Sequence, residues 1–396
     1  MTAITIAGGV YHERCIWPDW DQLYGSAGRA AAALSGHVGS ITLRGYARPD
    51  VATRFSQYAN QYGFTFDPVH TEQVVSFEYI HSLSVPLIRP APVMISPNPP
   101  IPVSAPVVLR FGMLEGSARV EAERCVYDPQ SAFRPEPFNA NGSTAKHLAI
   151  VANQGETLAL GGGTDPIAAA RSLLKRGAEV VVVKSGAKGA YIVEASGVSH
   201  VSAYWTDRVW TVGSGDVFAA IFAAYWGAHG DTAVHAAELA SRAVAAYVES
   251  MALPVPLPPV LLQASRPQTV AAGGKVYLAA PFFTLGQRWL VDEARRGLGE
   301  LGLDVFSPVH DVGAGPADQV APADLAALDA CDAVFAILDG TDSGTLFEVG
   351  YARARGKPVY ALAQTVTEED LKMVQGSGCR LFDDFVTALH HTAWRT

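Results

Sequence analysis

Apolar residues in this chain gather in short unbroken runs, separated by stretches where they recur every three or four positions. Residues 106–111 (PVVLRF), 147–152 (HLAIVA) and 179–184 (EVVVVK) are runs of the first kind. Without alternation, such runs predict strands of a parallel sheet covered on both faces. Residues 165–176 (DPIAAARSLLKR) predict a helix before the last of them, with Asp165 as its N-cap and Pro166 in its first turn. A fresh set begins at Lys275. Residues 275–280 (KVYLAA), 333–338 (AVFAIL) and 358–362 (PVYAL) predict buried strands, and residues 287–301 a helix with Leu290, Ala294, Leu298 and Leu301 on one face. Between the sets, residues 252–274 hold five prolines and end in Gly-Gly. Proline donates no ladder hydrogen bond and interrupts helices, so residues 253–274 are expected to be a linker. The pattern predicts an α/β domain over 1–252 and a smaller one over 275–396.

A chain of 396 residues, 49% hydrophobic and 17% charged, has material for two ordinary cores. Its net charge of −9, with no run of five or more basic residues, argues against a nucleic-acid-binding surface. Small anions stay open as ligands, because helix N-termini bind them without net positive charge. No apolar segment reaches the roughly 20 residues that span a bilayer. The opening residues (MTAITIAGG) carry no basic stretch followed by a long apolar run, and Cys15, Cys125, Cys331 and Cys379 form no CxxC pair. A cytoplasmic protein with reduced thiols is expected, Cys331 serving as a buried small hydrophobe.

The candidate chemistry of the second half lies in residues 324–350 (DLAALDACDAVFAILDGTDSGTLFEVG). Asp324 and Asp332 lie in a helical stretch leading into a buried strand. That strand ends in a turn-rich loop with Asp339 and Asp342, and the loop enters a helix carrying Glu348. Ligands of open α/β sheets bind at such strand ends. Carboxylates converging there can divide into nucleophile and proton donor when their surroundings separate their pKa values. Taken singly, each of these aspartates reads more readily as a helix cap or a solvated loop residue.

With its flanking sequence, the block resembles the nucleoside 2-deoxyribosyltransferase family. The matching residues are Tyr277-Leu-Ala-Ala-Pro-Phe-Phe283, Asp324, Asp332, Asp342, Thr345-Leu-Phe-Glu348-Val-Gly-Tyr351-Ala and Gly356-Lys-Pro-Val359, including the six-residue step from Asp342 to Glu348. The resemblance implies a doubly wound, flavodoxin- or Rossmann-like parallel sheet that needs no cofactor. Glu348 would attack the anomeric carbon, and Tyr277 would hold its carboxylate. Asp342 and Asp324 would bind and protonate the leaving base. Phe282, Phe283 and Gly344 would line the substrate site. Transfer to a second base and hydrolysis by water both remain open, and so does a nucleoside 5′-monophosphate as substrate. The resemblance also implies a homo-oligomer whose subunits complete each other's pocket.

In the first half, residues 210–218 read WTVGSGDVF before an alanine-rich helix. A glycine-flanked turn at a helix start aims several backbone N–H groups at one point, where the macrodipole also favours negative charge. Asp216 can then deprotonate a hydroxyl beside that anion site. Three more segments join it: Asn153-Gln-Gly-Glu156 after a buried strand, Val183-Lys184-Ser-Gly186-Ala-Lys-Gly189 closing another, and the glycine-led helix start Gly25-Ser-Ala-Gly28. Together they resemble the PfkB (ribokinase-like) sugar and nucleoside kinases, over most of residues 1–250, which implies a three-layer ribokinase-like domain. By that resemblance Gly213, Ser214 and Gly215 form the anion hole and Asp216 is the general base. Asn153 and Glu156 help organise Mg²⁺ and phosphates, Glu156 acting on the metal indirectly. Lys184, Gly186 and Gly189 line the ATP site.

Two positions depart from that family's pattern. Trp210 stands where an Asp usually precedes the glycine turn, and the first strand lacks the usual sugar-binding Asp, with His12 and Glu13 nearby instead. The expected function is a bifunctional enzyme acting on a small nucleoside, nucleotide or sugar, with glycosidic cleavage coupled to phosphorylation in either order. The alternative is a single glycosidic site with a degenerate kinase-like domain serving as sensor or assembly module. His390 and His391, without partners at metal-ligand spacing, are expected to lie in a solvated tail.

Overall fold

The computed structural model describes residues 2–130, 134–271 and 273–394. They form two compact units, one of Met1–Thr206 with Trp210–Gln268 and the other of Asp207–Val209 with Thr269–Thr396.

The first unit is built on a nine-stranded sheet. From edge to edge it runs Gly197–Val201, Ala190–Glu194, Val180–Lys184, Thr144–Asn153, Ala118–Asp128, Ile101–Phe111, Ala3–Ala7, Ser40–Ala47 and Thr65–His70. The pairings are parallel except at the edge formed by the first three. The valines of Val180–Lys184 are fully buried, as an unbroken apolar run requires. Helices rich in alanine (Gly25–Ala33, Ser214–Phe222 and Ala233–Ser250) share one core with Ile4, Ile6 and Val182. Their small side chains let backbones approach the sheet closely. Leu160 and Leu173, from helices Gln154–Gly161 and Pro166–Lys175, cover the opposite face with Ile150 and Val181. The result is three layers. Asp165 caps its helix as expected, accepting from the Ala168 amide at 2.6 Å. A separate four-stranded sheet runs Trp20–Leu23, His12–Trp17, Ser76–His81 and Leu87–Arg89.

The linker expectation for 253–274 needs correction. Val255 and Leu261 are buried, Pro258–Gln263 is helical, and Gln268 bridges to Tyr204. The boundary falls after Gln268. Proline interrupts ladders and helices, yet the apolar residues between these prolines still enter a core when one is in reach.

The second unit has a five-stranded, all-parallel sheet ordered Asp304–Phe306, Lys275–Ala279, Ala333–Ile337, Val359–Leu362 and Arg380–Phe382. Numbered within the unit this order is 2-1-3-4-5, with its topological switch point between Lys275–Ala279 and Ala333–Ile337. Leu328, Val349 and Val374, from helices Ala317–Ala330, Ser343–Ala354 and Glu368–Gly376, pack on one face with Tyr277 and Val334. Helices Leu285–Glu300 and Phe385–Trp394 pack together and against strands of the same sheet.

Two further expectations are revised. The buried face of Leu285–Glu300 is Val291, Ala294, Gly297 and Leu298, with Leu290 and Leu301 only half-buried. His390 and His391 are buried, not in a solvated tail. Their helix closes the sheet: His390 Nδ1 lies 2.9 Å from the Val386 carbonyl oxygen, and the His391 ring packs edge-on to Phe382. Burial pushes His390 down to about 4, so it is neutral. No helix among the described residues is long and apolar enough to cross a membrane.

Candidate active sites

In the second unit, the sheet's switch point places four expected residues together. Tyr277, fully buried on strand Lys275–Ala279, donates its hydroxyl to Glu348 Oε1 at 2.6 Å. Glu348 lies on helix Ser343–Ala354, nearly two turns beyond its N-cap Asp342, which accepts from the Thr345 amide at 2.8 Å and its hydroxyl at 3.0 Å. The turn feeding this helix is tight. Gly340 has φ of +94° and Thr341 +44°. The left-handed Thr341 costs about 1–3 kcal/mol, the kind of strain that clusters at functional sites.

Burial raises the Glu348 carboxyl to about 7; the Tyr277 hydroxyl opposes this, and the charges of Asp324 and Asp342 add to it. Asp324, on helix Ala317–Ala330, is itself raised by desolvation, and its Oδ1 is buried without a hydrogen-bond partner. The site thus holds a carboxyl poised near neutrality, a second acid electrostatically coupled to it, and a third fixed as a cap.

Phe282 and Phe283 follow the strand with rings stacked 5.3 Å apart, Phe283 being 68% exposed. Gln287 fixes this segment by accepting from the Phe283 and Thr284 amides, both at 3.0 Å. Gly344 sits in the first turn of Glu348's helix, where a Cβ would stand 3.1 Å from Asp342 Oδ2. Asp332 and Asp339 do not join the cluster. Asp332 accepts from the Lys275 amide at 2.7 Å, and Asp339 ties down the Gln364 and Thr365 amides. Both are fasteners of strand ends.

In the first unit, Gly213, with φ of +78°, starts helix Ser214–Phe222, and Asp216 is buried in its first turn. Asn153 and Glu156 form a reciprocal capping box, each side chain accepting from the other's amide at 2.8 Å. Lys184 Nζ lies 2.5 Å from Asp128 Oδ2 and 3.4 Å from where a Cβ on Gly215 would be. Gly186 and Gly189 turn the chain in left-handed conformations, and a Cβ on Gly189 would meet the Val201 carbonyl oxygen at 2.0 Å. Trp210 is buried beside Trp20, ring centroids 5.2 Å apart, where the resembling kinases carry Asp.

Sequence reasoning missed three residues here. Asp128, fully buried at the end of strand Ala118–Asp128, has Oδ1 unpartnered and is pushed up to about 7, chiefly by burial. Gln130 donates to Asp216 Oδ1 at 2.5 Å. Arg29 donates to Asp216 Oδ2 at 2.7 Å and to Glu13 Oε2 at 2.6 Å. The available signal for the first two was an Asp ending an apolar run (CVYD) and followed by Pro-Gln. Arg29, in an alanine stretch, carried none. Beside them opens a cavity of about 150 Å³, lined by Tyr11, Glu13, Ser26, Phe77, Gln130 and Asp216 among others.

The second cluster and part of the first lie in segments with known relatives; Glu13, Arg29, Asp128 and Gln130 precede the matched residues. Residues 144–258 match the family described as pfkB family carbohydrate kinase, and residues 276–379 the family described as nucleoside 2-deoxyribosyltransferase. The chain carries a domain of each. The glycine turn, Asn153, Glu156 and Lys184 fall inside the pfkB match, and Tyr277, Asp324, Asp342 and Glu348 inside the deoxyribosyltransferase match.

Solved structures of the ribokinase family are similar to the first two thirds of the chain. A candidate ribokinase from Agrobacterium tumefaciens is 15% identical with a TM-score of 0.51, over 66% of this chain and 97% of its own. A fructokinase from Vibrio cholerae O395, bound to fructose, ADP and potassium, scores 0.49 at 15% identity, over 66% and 97%. Aminoimidazole riboside kinase from Salmonella enterica, solved with its riboside and an ATP analogue, scores 0.48 at 15%, over 66% and 98%. At 15% identity, the likeness to the Agrobacterium structure speaks for the ribokinase fold alone. No curated protein matches the chain.

Proposed function

We propose that the deoxyribosyltransferase domain breaks the N-glycosidic bond of a nucleoside or nucleotide through a covalent glycosyl–Glu348 intermediate, and that the pfkB domain transfers the γ-phosphoryl group of ATP to a sugar or nucleoside. The observation that carries the reading is the 2.6 Å bond from buried Tyr277 to Glu348, with Asp324 and Asp342 in electrostatic reach.

In this mechanism the Glu348 carboxylate attacks the anomeric carbon as the C–N pair departs with the base. Asp324, raised by burial, delivers the proton that the base takes up, while Asp342 orients the base. Phe282, Phe283 and Gly344 line the sugar and base. Water or a second base then displaces Glu348 from the sugar, giving hydrolysis or transfer. Phe283, Leu285 and Phe347 stand exposed on the same domain, which supports a homo-oligomer that covers them.

In the kinase half, the acceptor oxygen attacks the γ-phosphorus, its proton passes to Asp216, and the bond to ADP breaks. Amides of Gly213 and Gly215 hold the phosphoryl oxygens at the helix N-terminus, whereas the Ser214 amide, expected to join them, donates to the Thr211 carbonyl oxygen at 3.1 Å. Lys184, Gly186 and Gly189 line the nucleotide. Among the described residues no group of three or more His, Cys, Asp or Glu could hold a metal ion. The residues instead fit a magnesium ion carried in on the phosphates, steadied by buried Glu156 in its capping box with Asn153 and by the unpartnered Asp128 Oδ1. Such an ion would neutralise charge on the transferred group.

A second reading, in which the pfkB domain binds its ligand without phosphorylating it, is favoured by the engagement of both Asp216 oxygens. Incubation with nucleosides, their 5′-monophosphates and ribose, with and without ATP, followed by mass spectrometry, separates the cases. ATP-independent base release with ATP-dependent sugar phosphate places cleavage first, and ATP-dependent base release places phosphorylation first. Base release with no ATP turnover favours the second reading, and no base from any substrate overturns the assignment.

A further inference from the structure

Arg29 lies on helix Gly25–Ala33 and is 1% exposed. All three of its guanidinium nitrogens are used. Nη2 donates to Glu13 Oε2 at 2.6 Å, and Nη1 to Asp216 Oδ2 at 2.7 Å and to Glu13 Oε1 at 3.4 Å. Nε donates to the Tyr247 hydroxyl at 3.0 Å, which in turn donates a hydrogen bond to the Val212 carbonyl oxygen at 3.0 Å. The guanidinium presses against Gly213, where a Cβ would lie 2.1 Å from Nε. The first glycine of the phosphate turn is therefore required twice, by its positive φ and by the arginine behind it. Glu13 and Asp216 face the same cavity of about 150 Å³.

We propose that Arg29 is a positioning residue for the phosphoryl acceptor, keeping Glu13 and Asp216 together as two hydrogen-bond-accepting carboxylates on the floor of one pocket. The inference rests on the kinase reading of this domain. Two desolvated carboxylates beside one another cannot both ionise unless a cation compensates them. Burial pushes the Glu13 carboxyl up, and Arg29 is the largest influence opposing it. The remaining groups that face the pair are Tyr247, Tyr79 and Tyr11, the rings of Trp20 and Tyr24 over the guanidinium, and Lys184 with Asp128 on the Asp216 side. With Gln130 on Asp216 Oδ1 and Ser26 on Gln130, the pocket floor is fixed before an acceptor arrives. Its two carboxylates select an acceptor that brings two donors. One is the hydroxyl to be phosphorylated at Asp216, and the other a hydroxyl or amino group at Glu13.

The test compares the full chain with R29M, R29K and R29M/E13Q. Thermal denaturation is followed at pH 5 and pH 8, and ATP-dependent phosphorylation of D-ribose and adenosine across that range. Without the arginine, the folded pair holds a proton that the unfolded chain releases, so stability is lost as pH rises. R29M is expected to fall further below wild type at pH 8 than at pH 5. R29K and R29M/E13Q are expected to lack that added pH dependence, the first by keeping a cation and the second by removing one carboxylate. In the activity arm, the acid limb for R29M moves up by about 1–3 pH units and R29K restores it. An equal stability loss for R29M at both pH values, or persistent pH dependence in R29M/E13Q, would overturn the proposal. Wild-type protein that phosphorylates neither compound counts against the kinase reading, and the stability comparison still decides whether Arg29 holds the pair.

Discussion

The bond between Tyr277 and Glu348 can be removed with one oxygen atom. Tyr277→Phe keeps the ring stacked on Phe306, centroids 5.5 Å apart, and takes away only the 2.6 Å donor. Hydrogen bonds to a charged group contribute about 1.5–3 kcal/mol. At about 1.4 kcal/mol per pH unit, losing one displaces the carboxyl by about 1–2 units, and partial solvent access to Glu348 favours the lower figure. The donor stabilises the ionised form, so its loss moves the Glu348 carboxyl further above about 7. A nucleophile must be ionised. The rate of base release, followed by ultraviolet absorbance, should therefore rise through about pH 7 in wild type and about one unit later in the variant. Relative to wild type, Y277F should lose about tenfold in kcat/KM near pH 6 and little beyond its constant offset near pH 9. A loss of the same size at both pH values would refute the argument that Tyr277 tunes the carboxylate. No loss at either would refute the bond itself.

Glu348→Gln should lower base release by about 10⁴-fold or more while the protein stays folded. It should also melt increasingly above wild type as pH rises from 4.5 to about 7, because burial holds the native carboxyl above its ordinary 4.5 and the native state alone retains the proton there; the gain is at most about 3 kcal/mol, and calorimetry showing no such trend would mean Glu348 is well solvated. Asp216→Asn should cut phosphoryl transfer by about 10²–10⁴-fold, measured by coupled ADP release, and leave base release from a nucleoside unchanged. If both activities fell in a folded protein, two independent sites would be the wrong description.

Much of the architecture was readable from local pattern. The four valines of 180–183 could satisfy no amphipathic period and became a strand buried on both faces, and Asp165-Pro166 carried its own cap geometry. Tyr277 and Glu348 were readable only through the family resemblance, since 71 residues separate them and no periodicity links a strand to a later helix. Spacing misled where an aspartate had two uses: Asp332 and Asp339 lie in the same block as Asp324 and Asp342 but satisfy backbone amides at strand ends. The buried histidines and the packed proline stretch depended on tertiary partners that no local rule names. Arg29 is the clearest case. A lone arginine in an alanine-rich helix reads as solvent-facing, and only the fold reveals two carboxylates waiting for it.

The covalent bond proposed at Glu348 can be sought directly. Acid quenching of the enzyme during turnover of a mixed nucleoside pool, then peptide mass spectrometry, should find one glycosyl unit attached to the peptide containing Glu348, and none in E348Q. Steady base release with no adduct on that peptide, or an adduct that persists in E348Q, would contradict the mechanism.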